Sequence, residues 1–221
     1  MIWDKNAYEM YAYLTVKYAF CPEIEMCHDD NPDWMDAEKG IGLEVTRAES
    51  QQIGNSIAFW NKNVGKDRAE ISEKKLSERV ETIYFNEDNK LKGMSLGGGL
   101  INGDSYIHMA VHSVVEKLDK LNAHYKECPA GYWLAIFLTN SYIDSDKCHL
   151  NLFIDHVKEI QNRSDYQRKF SKIFLISLSS NIYLIDTINW ECEKRVLTSD
   201  EIKRIRTAAI SFMDKMKQNR K

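Results

Sequence analysis

Two acidic residues, Asp33 and Glu44, stand where carboxylates could do chemistry. Asp33 follows Asn31 and Pro32 in a polar turn, and Glu44 interrupts the short apolar run 41–46. A carboxylate is rare in a buried strand unless a cation, a metal ion or a hydrogen-bond network pairs it. A hairpin could bring Asp33 alongside Glu44, and two carboxylates that meet at a strand suit a hard cation such as Mg²⁺. The alternative is that Asp33 caps a turn and a salt bridge satisfies Glu44.

The elements that must position this pair form a mixed α/β pattern with one central sheet. A helix is predicted over 5–20, and an alternating strand over 40–48 has Glu44 and Thr46 on the face opposite Val45. The other predicted strands lie within 23–27 and over 132–139, 170–178 and 181–186. Helices are predicted over 108–126, with an apolar face that includes Tyr125, and over 149–162. A last helix starts at the capping box of Thr198 and Glu201 and ends near 217.

Residues 49–107 differ in sequence pattern from the rest of the chain. They are predicted to be an insertion within a single domain that spans 1–221. The segments 50–65 and 68–85 are interpreted as two helices, the second charged and amphipathic. The segment 86–104 has three successive glycines, which are typical of a flexible loop or a hairpin. It lacks the Gly-Lys-Ser/Thr pattern of a phosphate loop, so nucleotide binding is not expected there.

The bulk composition excludes several classes of protein. A chain of 221 residues with 43% hydrophobic residues is long enough to bury a substantial core. No apolar run reaches membrane-spanning length and no signal peptide is recognisable, so we expect no membrane partner. The five scattered cysteines predict free thiols in a reducing cytoplasm. A net charge of -3 gives no overall basic footprint, although a local patch for nucleic acid stays open.

Asp33, ten intervening residues and Glu44-Val45-Thr46 on a strand resemble the PD-(D/E)xK nuclease superfamily, whose fold is restriction-endonuclease-like. The resemblance covers about 5–48 and 108–139. It implies an initial helix, often with a Glu, before a central mixed β-sheet flanked by helices, here with a helical insertion. It also implies that Asp33, Glu44 and the Val45 carbonyl bind Mg²⁺ or Mn²⁺, with Glu9 as an accessory carboxylate. The metal would lower the pKa of the attacking water and stabilise charge on the phosphodiester.

The chain departs from this pattern at Thr46, where the superfamily has a lysine. Members of the superfamily can place that lysine on a neighbouring helix, and the helix 108–126 offers Lys117 and Lys120. With Leu118 at the centre of the apolar face, Lys117 lies about 100° from that centre and Lys120 about 160°. We therefore predict that Lys117 supplies the cation. The alternative is a lysine whose stem covers apolar surface while its head stays in water.

Three functional hypotheses remain from the sequence. The first is a Mg²⁺-dependent nuclease that hydrolyses nucleic acid, with a homodimer conceivable because nucleases that cut both strands often work as dimers. The second is a catalytically inactive relative that binds nucleic acid or protein, since Thr46 could mark lost chemistry. The third is a structural α/β protein in which salt bridges satisfy the carboxylates.

Other clusters give weaker signals. His108 and His112 have a spacing that can hold a metal, but HMAVH lacks the Glu of a zinc hydrolase and no third ligand follows. Cys21, Cys27 and His28 lack a CxxC spacing, so incidental or buried thiols are favoured. A local basic patch with aromatic residues could touch a phosphate backbone, although a solvated loop is the alternative. It consists of Arg163, Arg168, Lys169 and Lys172, with Tyr166 and Phe170.

Overall fold

The computed structural model describes residues 5–48, 59–60, 62–71, 80–96, 103–138, 143, 146–177 and 180–218. Its elements in chain order are α1 (Lys5–Ala19), β1 (Cys27–His28), β2 (Trp34–Asp36), β3 (Ile41–Ala48), β4 (Val80–Phe85), β5 (Leu91–Leu96), α2 (Gly103–His124), β6 (Gly131–Leu138), α3 (Lys147–Gln161), β7 (Phe170–Ser177), β8 (Asn181–Asp186), β9 (Glu191–Val196) and α4 (Ser199–Gln218). The chain divides into a larger unit, Trp3–Ala48 with Gly103–Lys221, and a smaller unit, Met1–Ile2 with Glu49–Asn102.

The larger unit is an α/β fold with one seven-stranded mixed sheet flanked by four helices, which confirms the predicted fold class. The strand order is β1-β2-β3-β6-β7-β8-β9. The central strands β3, β6 and β7 are parallel, and antiparallel pairs extend the sheet on both sides. The helix α2 connects β3 to β6, and α3 connects β6 to β7, as parallel strands require.

Helices cover both faces of the sheet, which explains why β6 is apolar along its whole length. On one face, Leu134 packs in the same buried cluster as Val114 and Leu118 of α2. On the other face, Ala135 packs in the same cluster as Val16 of α1. The alternation of β3 follows from this arrangement, because Leu43 and Val45 belong to the α1 cluster while Glu44 points to α2.

Seven elements, α1, β3, β6, α3, β7, β8 and α4, lie within two residues of their predicted segments. The capping box of α4 is confirmed, since the Glu201 N–H donates to Thr198 Oγ1 at 3.2 Å and the Thr198 N–H donates to Glu201 Oε2 at 2.7 Å. The helix α2 begins at Gly103, earlier than predicted. None of the helices in the described parts of the chain is both long and apolar enough to span a bilayer.

The predicted helix over 68–85 is wrong. The segment contains a short 3₁₀ turn at Arg68–Glu70 and the strand β4, which pairs with β5 as an antiparallel hairpin. Its alternation buries Ile83 and Phe85 against a small core that includes Leu91, and this packing outweighs the helical charge pattern. Residues 72–79, most of the predicted helix 50–65 and the three glycines at 97–99 lie outside the described residues.

The turn that carries Asp33 packs directly on β3, and Gly42 makes this contact possible. A Cβ at Gly42 would lie 2.6 Å from Pro32 Cγ and 2.9 Å from Cys128 Sγ. Only glycine, which has no Cβ, leaves room for the Pro32 ring and the Cys128 thiol at such distances. The position of Asp33 therefore depends on the absence of a side chain at Gly42.

We predict that Gly42→Ala lowers the free energy of unfolding by about 1–3 kcal/mol, because the added methyl overpacks this contact. Urea denaturation followed by circular dichroism measures the change. Gly93→Ala is the control, since its Cβ would meet nothing closer than 3.5 Å. We expect that control to stay within about 0.5 kcal/mol of the parent protein. Equal stability of both variants would contradict the close packing of the turn on β3.

Candidate functional site

The turn before β2 holds Asp33 against the middle of β3. The β2–β3 ladder pairs Trp34 with Leu43, which places Asp33 next to Glu44. The Asp33 N–H donates to Glu44 Oε2 at 3.3 Å, and the Val45 N–H donates to Asp33 Oδ2 at 2.8 Å. Both carboxylates are buried, with 5% of Asp33 and 4% of Glu44 exposed. The two carboxylates therefore meet at one point on β3.

Lys117 reaches the same point from α2. Its Nζ forms an ion pair with Glu44 Oε1, although the two residues are 73 positions apart in the chain. The Lys117 side chain is only 15% exposed, whereas Lys120 is exposed. The structure thus brings together Asp33, Glu44 and Lys117, and it leaves Lys120 on the outer side of the helix.

Glu9 completes an acidic cluster from the opposite face of the sheet. It is a residue of α1 with 1% exposure, and His28 Nε2 lies 3.3 Å from Glu9 Oε2. His28 is the cross-strand neighbour of Trp34 and packs its ring edge against the indole, with centroids 5.1 Å apart. The charge of Glu9 acts on Asp33, so the two carboxylates are close enough to interact.

The burial and the negative charge of this cluster together determine the pKa of Asp33. Burial, and then the charges of Glu44 and Glu9, raise the pKa of Asp33 to about 7. The Val45 N–H and the Lys117 ammonium oppose this rise but do not cancel it. A carboxyl group that titrates near neutral pH in a buried cluster marks a candidate functional site.

Two tyrosines line the cluster and stay protonated. Burial, followed by the negative charge of Glu44 and a hydrogen bond to it, raises the pKa of Tyr125. Burial and then the charge of Glu9 raise the pKa of Tyr8, whose ring lies 4.7 Å from the Arg47 guanidinium. Tyr125 is therefore a permanent donor to Glu44, and both tyrosines keep the site from gaining further negative charge.

Sequence reasoning missed Tyr125, Tyr8 and His28 as members of this site. The helical period places Tyr125 on the apolar face of the predicted helix, whereas in the structure Tyr125 follows the last residue of α2 and its hydroxyl reaches Glu44. His28 was grouped with Cys27, but the structure pairs it with Glu9. No local signal could have found the His28–Glu9 contact, because it joins β1 to α1.

Several residues of the other sequence clusters make contacts within the fold. Cys21 is buried and Cys27 is exposed. In the basic patch, the Arg168 guanidinium donates to the Tyr125 carbonyl at 2.8 Å, and the Lys172 ammonium lies 4.9 Å above the Trp133 ring. Two of the patch cations are thus engaged within the fold.

The donors at the cluster fit a hard cation. Asp33 and Glu44 offer carboxylate oxygens, which Mg²⁺ prefers. In an extended strand the N–H and C=O of one residue point to the same edge, so the Val45 carbonyl faces the edge at which its N–H binds Asp33. Among the described residues, no group of three or more His, Cys, Asp or Glu side chains is arranged as a metal site. A Mg²⁺ ion here would therefore retain several water ligands.

In comparisons with known proteins, no protein-family model, curated protein or solved structure gives a significant match to this chain. The function of the protein must therefore be inferred from the residues of the cluster.

We predict that Lys117→Met lowers the free energy of unfolding by about 3–5 kcal/mol, because it leaves the buried Glu44 carboxylate without its cation. Lys120→Met, on the exposed side of the same helix, should cost less than about 0.5 kcal/mol. In the double variant Lys117→Met with Glu44→Gln, most of the loss should be recovered, which a double-mutant cycle in urea measures. A simple sum of the two single losses would contradict the ion pair.

The stability of the protein should depend on pH through Asp33. Since the pKa of Asp33 is about 7 when folded and about 3.9 when unfolded, the folded state binds the extra proton between these values. The free energy of unfolding should therefore fall by roughly 2–3 kcal/mol from pH 5 to pH 8 on account of this group. Asp33→Asn should remove that fall, as measured by urea denaturation at both pH values.

The matched control for this measurement is Asp29→Asn. A hydrogen bond from Lys126 lowers the pKa of Asp29, so its contribution to stability is present above the unfolded pKa and is lost only at more acidic pH. This variant should keep the fall between pH 5 and pH 8 that the parent protein has. The same fall in the Asp33→Asn variant would mean that another group titrates in this range.

Proposed function

We propose that this protein is a metal-dependent nuclease of the PD-(D/E)xK type that hydrolyses phosphodiester bonds of nucleic acid with Mg²⁺ or Mn²⁺. The observation that carries the proposal is the ion pair between Glu44 of β3 and Lys117 of α2, next to Asp33. Thr46 occupies the strand position where a lysine is expected, and Lys117 supplies an ammonium to the same carboxylate from a neighbouring helix. This arrangement supports a catalytic centre with a migrated lysine.

In this proposal Asp33, Glu44 and the Val45 carbonyl hold the metal. The bound ion would lower the pKa of the attacking water and stabilise the charge that develops on the phosphate. Asp33 must give up the proton that it shares with solvent near neutral pH before its carboxylate can act as a ligand. Glu9 adds negative charge beside Asp33, which attracts a cation to that point and, without the cation, favours the protonated form of Asp33.

Lys117 of α2 and Tyr125, the residue that follows α2, would orient the reacting groups. The Lys117 ammonium, ion-paired with Glu44, can donate a hydrogen bond to the attacking water or to a phosphate oxygen. The Tyr125 hydroxyl donates to Glu44 and restricts the rotamer of that carboxylate. The low exposure of these groups excludes bulk water, which strengthens their electrostatic effect on a charged transition state.

The proposal includes a nucleic-acid substrate, a cytoplasmic location and a homodimer when two strands are cut. Because the overall charge is -3, contacts to the substrate would have to come from local cations rather than from a basic surface as a whole.

A second candidate function is an inactive relative that binds nucleic acid or protein. It is favoured by the hydrogen bonds that already satisfy the carboxylates, since Lys117 pairs with Glu44 and the Val45 N–H donates to Asp33. Each carboxylate oxygen still has acceptor capacity beyond these contacts, so the observation leaves metal binding open. The same cleavage experiment separates the two candidates.

We predict that the purified protein cleaves plasmid or single-stranded nucleic acid with Mg²⁺ or Mn²⁺, and that EDTA stops the reaction. Glu44→Ala should lower the initial cleavage rate by about 10²–10³-fold, comparable with the loss of one preorganised charge-stabilising group. Glu116→Gln is the control, because this exposed carboxylate of α2 pairs only with the exposed His112 in the described contacts. Gel assays of both substrate types measure the rates.

Equal cleavage by the parent protein and the Glu44→Ala variant would mean that the activity comes from a contaminant or another site. If the parent protein cleaves nothing but binds labelled nucleic acid in a gel-shift assay, the second candidate is supported. If it neither cleaves nor binds nucleic acid, the nuclease proposal is wrong.

A further inference from the structure

Two histidines, one from α2 and one from α3, lie close together where these helices pack. The ring centroids of His108 and His156 are 6.0 Å apart, and the ring planes are inclined by 39°. His108 is exposed and His156 is partly exposed, so solutes can reach both rings. His108 precedes Lys117 by nine residues, which is about 14 Å along the helix. The pair is therefore separate from the acidic cluster.

The packing of the two helices fixes this pair. Both helices lead from one parallel strand back to the start of the next, so they run in the same direction on one face of the sheet. Val114 of α2 and Phe153 and Val157 of α3 belong to the same buried cluster. The histidines are thus held near each other by a buried interface rather than by a loop.

His112, the other histidine on this part of α2, pairs with Glu116. It lies one turn further along α2, on the same side as His108, and its Nε2 is 3.4 Å from Glu116 Oε1. The sequence spacing pairs His108 with His112 within one helix. The structure instead joins His108 to a histidine of the neighbouring helix.

Neutral imidazole is a preferred ligand of divalent transition ions. Two imidazoles bound to one ion at metal–nitrogen distances of about 2.0–2.1 Å have ring centroids roughly 5 Å apart. The observed 6.0 Å differs from this value by an amount that a small rotation of the side chains removes. Partly exposed side chains can make that adjustment without disturbing the core.

We propose that His108 and His156 form a two-histidine site for a divalent transition ion of borderline character, such as Zn²⁺ or Ni²⁺. The described residues contain no group of three or more His, Cys, Asp or Glu side chains that could hold an ion, so water completes the coordination. The ion ties α2 to α3. Since α2 also carries Lys117, the site clamps the helix that serves the acidic cluster, but its occupancy does not require nuclease activity.

The test is isothermal titration of the whole protein with NiCl₂ and, separately, ZnCl₂, in buffer with excess Mg²⁺ to occupy any hard-cation site. We expect one ion per chain. Loss of an outer-sphere contact alone weakens metal binding about 10–100-fold, so removing a ligand in His108→Ala or His156→Ala should raise the Kd at least about tenfold. His112→Ala is the matched control and should leave the Kd within about twofold of the parent value, since His112 is not a ligand.

Thermal unfolding gives a second readout. Because the ion binds only the folded helix pair, NiCl₂ should raise the Tm of the parent protein and of His112→Ala but not that of His156→Ala. The same thermal unfolding of each variant in the absence of metal establishes that the variant folds.

Three results would overturn the proposal. If His112→Ala weakens binding and His156→Ala does not, a pair within α2 holds the ion. If all three variants bind as the parent does, the ion sits elsewhere, for example on the exposed thiols of Cys27, Cys148 or Cys192. If the parent protein binds neither ion at millimolar concentration, the site does not exist.

Discussion

The structure depends on how one corner of the sheet tolerates buried negative charge. Glu9, Asp33 and Glu44 are each at most 5% exposed, and isolated ions in such surroundings are costly. The backbone offsets part of this cost through the N–H groups of Asp33 and Val45. The rest requires groups from distant parts of the chain, and this requirement links α1, β1 and α2 to the central strand.

The topology supplies those groups. A parallel connection from β3 to β6 must pass over one face of the sheet, and α2 makes that passage with Lys117 on the side that reaches Glu44. Tyr125, the residue after α2, reaches the same carboxylate. The chain between β3 and α2 contains the smaller unit, yet Glu44 and Lys117 form their ion pair across this long separation in sequence. The entropy of loop closure grows only slowly with length, so an insertion at this point adds little to the cost of forming the ion pair.

Much of this arrangement follows from periodicity in the sequence. Alternation along β3 correctly separated Glu44 from Leu43 and Val45, and the helical angle placed Lys117 at the edge of the apolar face and Lys120 beyond it. The strands β2 and β9 were missed for different reasons. The strand β2 has only three residues, whereas β9 is an exposed strand at the edge of the sheet with the charged sequence ECEKRV, which carries no apolar alternation.

The site was harder to predict than the fold because its contacts are tertiary. Tyr125 has the pattern of a core residue until Glu44 is known to face it, and β4 has the charge pattern of a helix until β5 pairs with it. In both cases the decisive partner lies far from the residue in sequence or on another element. Local propensity is a weak prior where such contacts exist.

The composition of the corner also bears on whether Glu44 and Lys117 are merely a structural ion pair. Such a pair is neutral as a whole and needs no further carboxylate beside it, but here burial, and then the negative charges of Glu44 and Glu9, raise the pKa of Asp33 to about 7. A structural role explains part of this excess of negative charge, because the Val45 N–H donates to Asp33 and His28 Nε2 lies 3.3 Å from Glu9 Oε2, but apolar residues of similar volume would be neutral or stabilising. A proton on Asp33 or a divalent cation between the carboxylates would each remove the excess. In the proposed nuclease the two would be alternatives at one position, because metal-assisted hydrolysis near neutral pH would require Asp33 to exchange its proton for the metal ion.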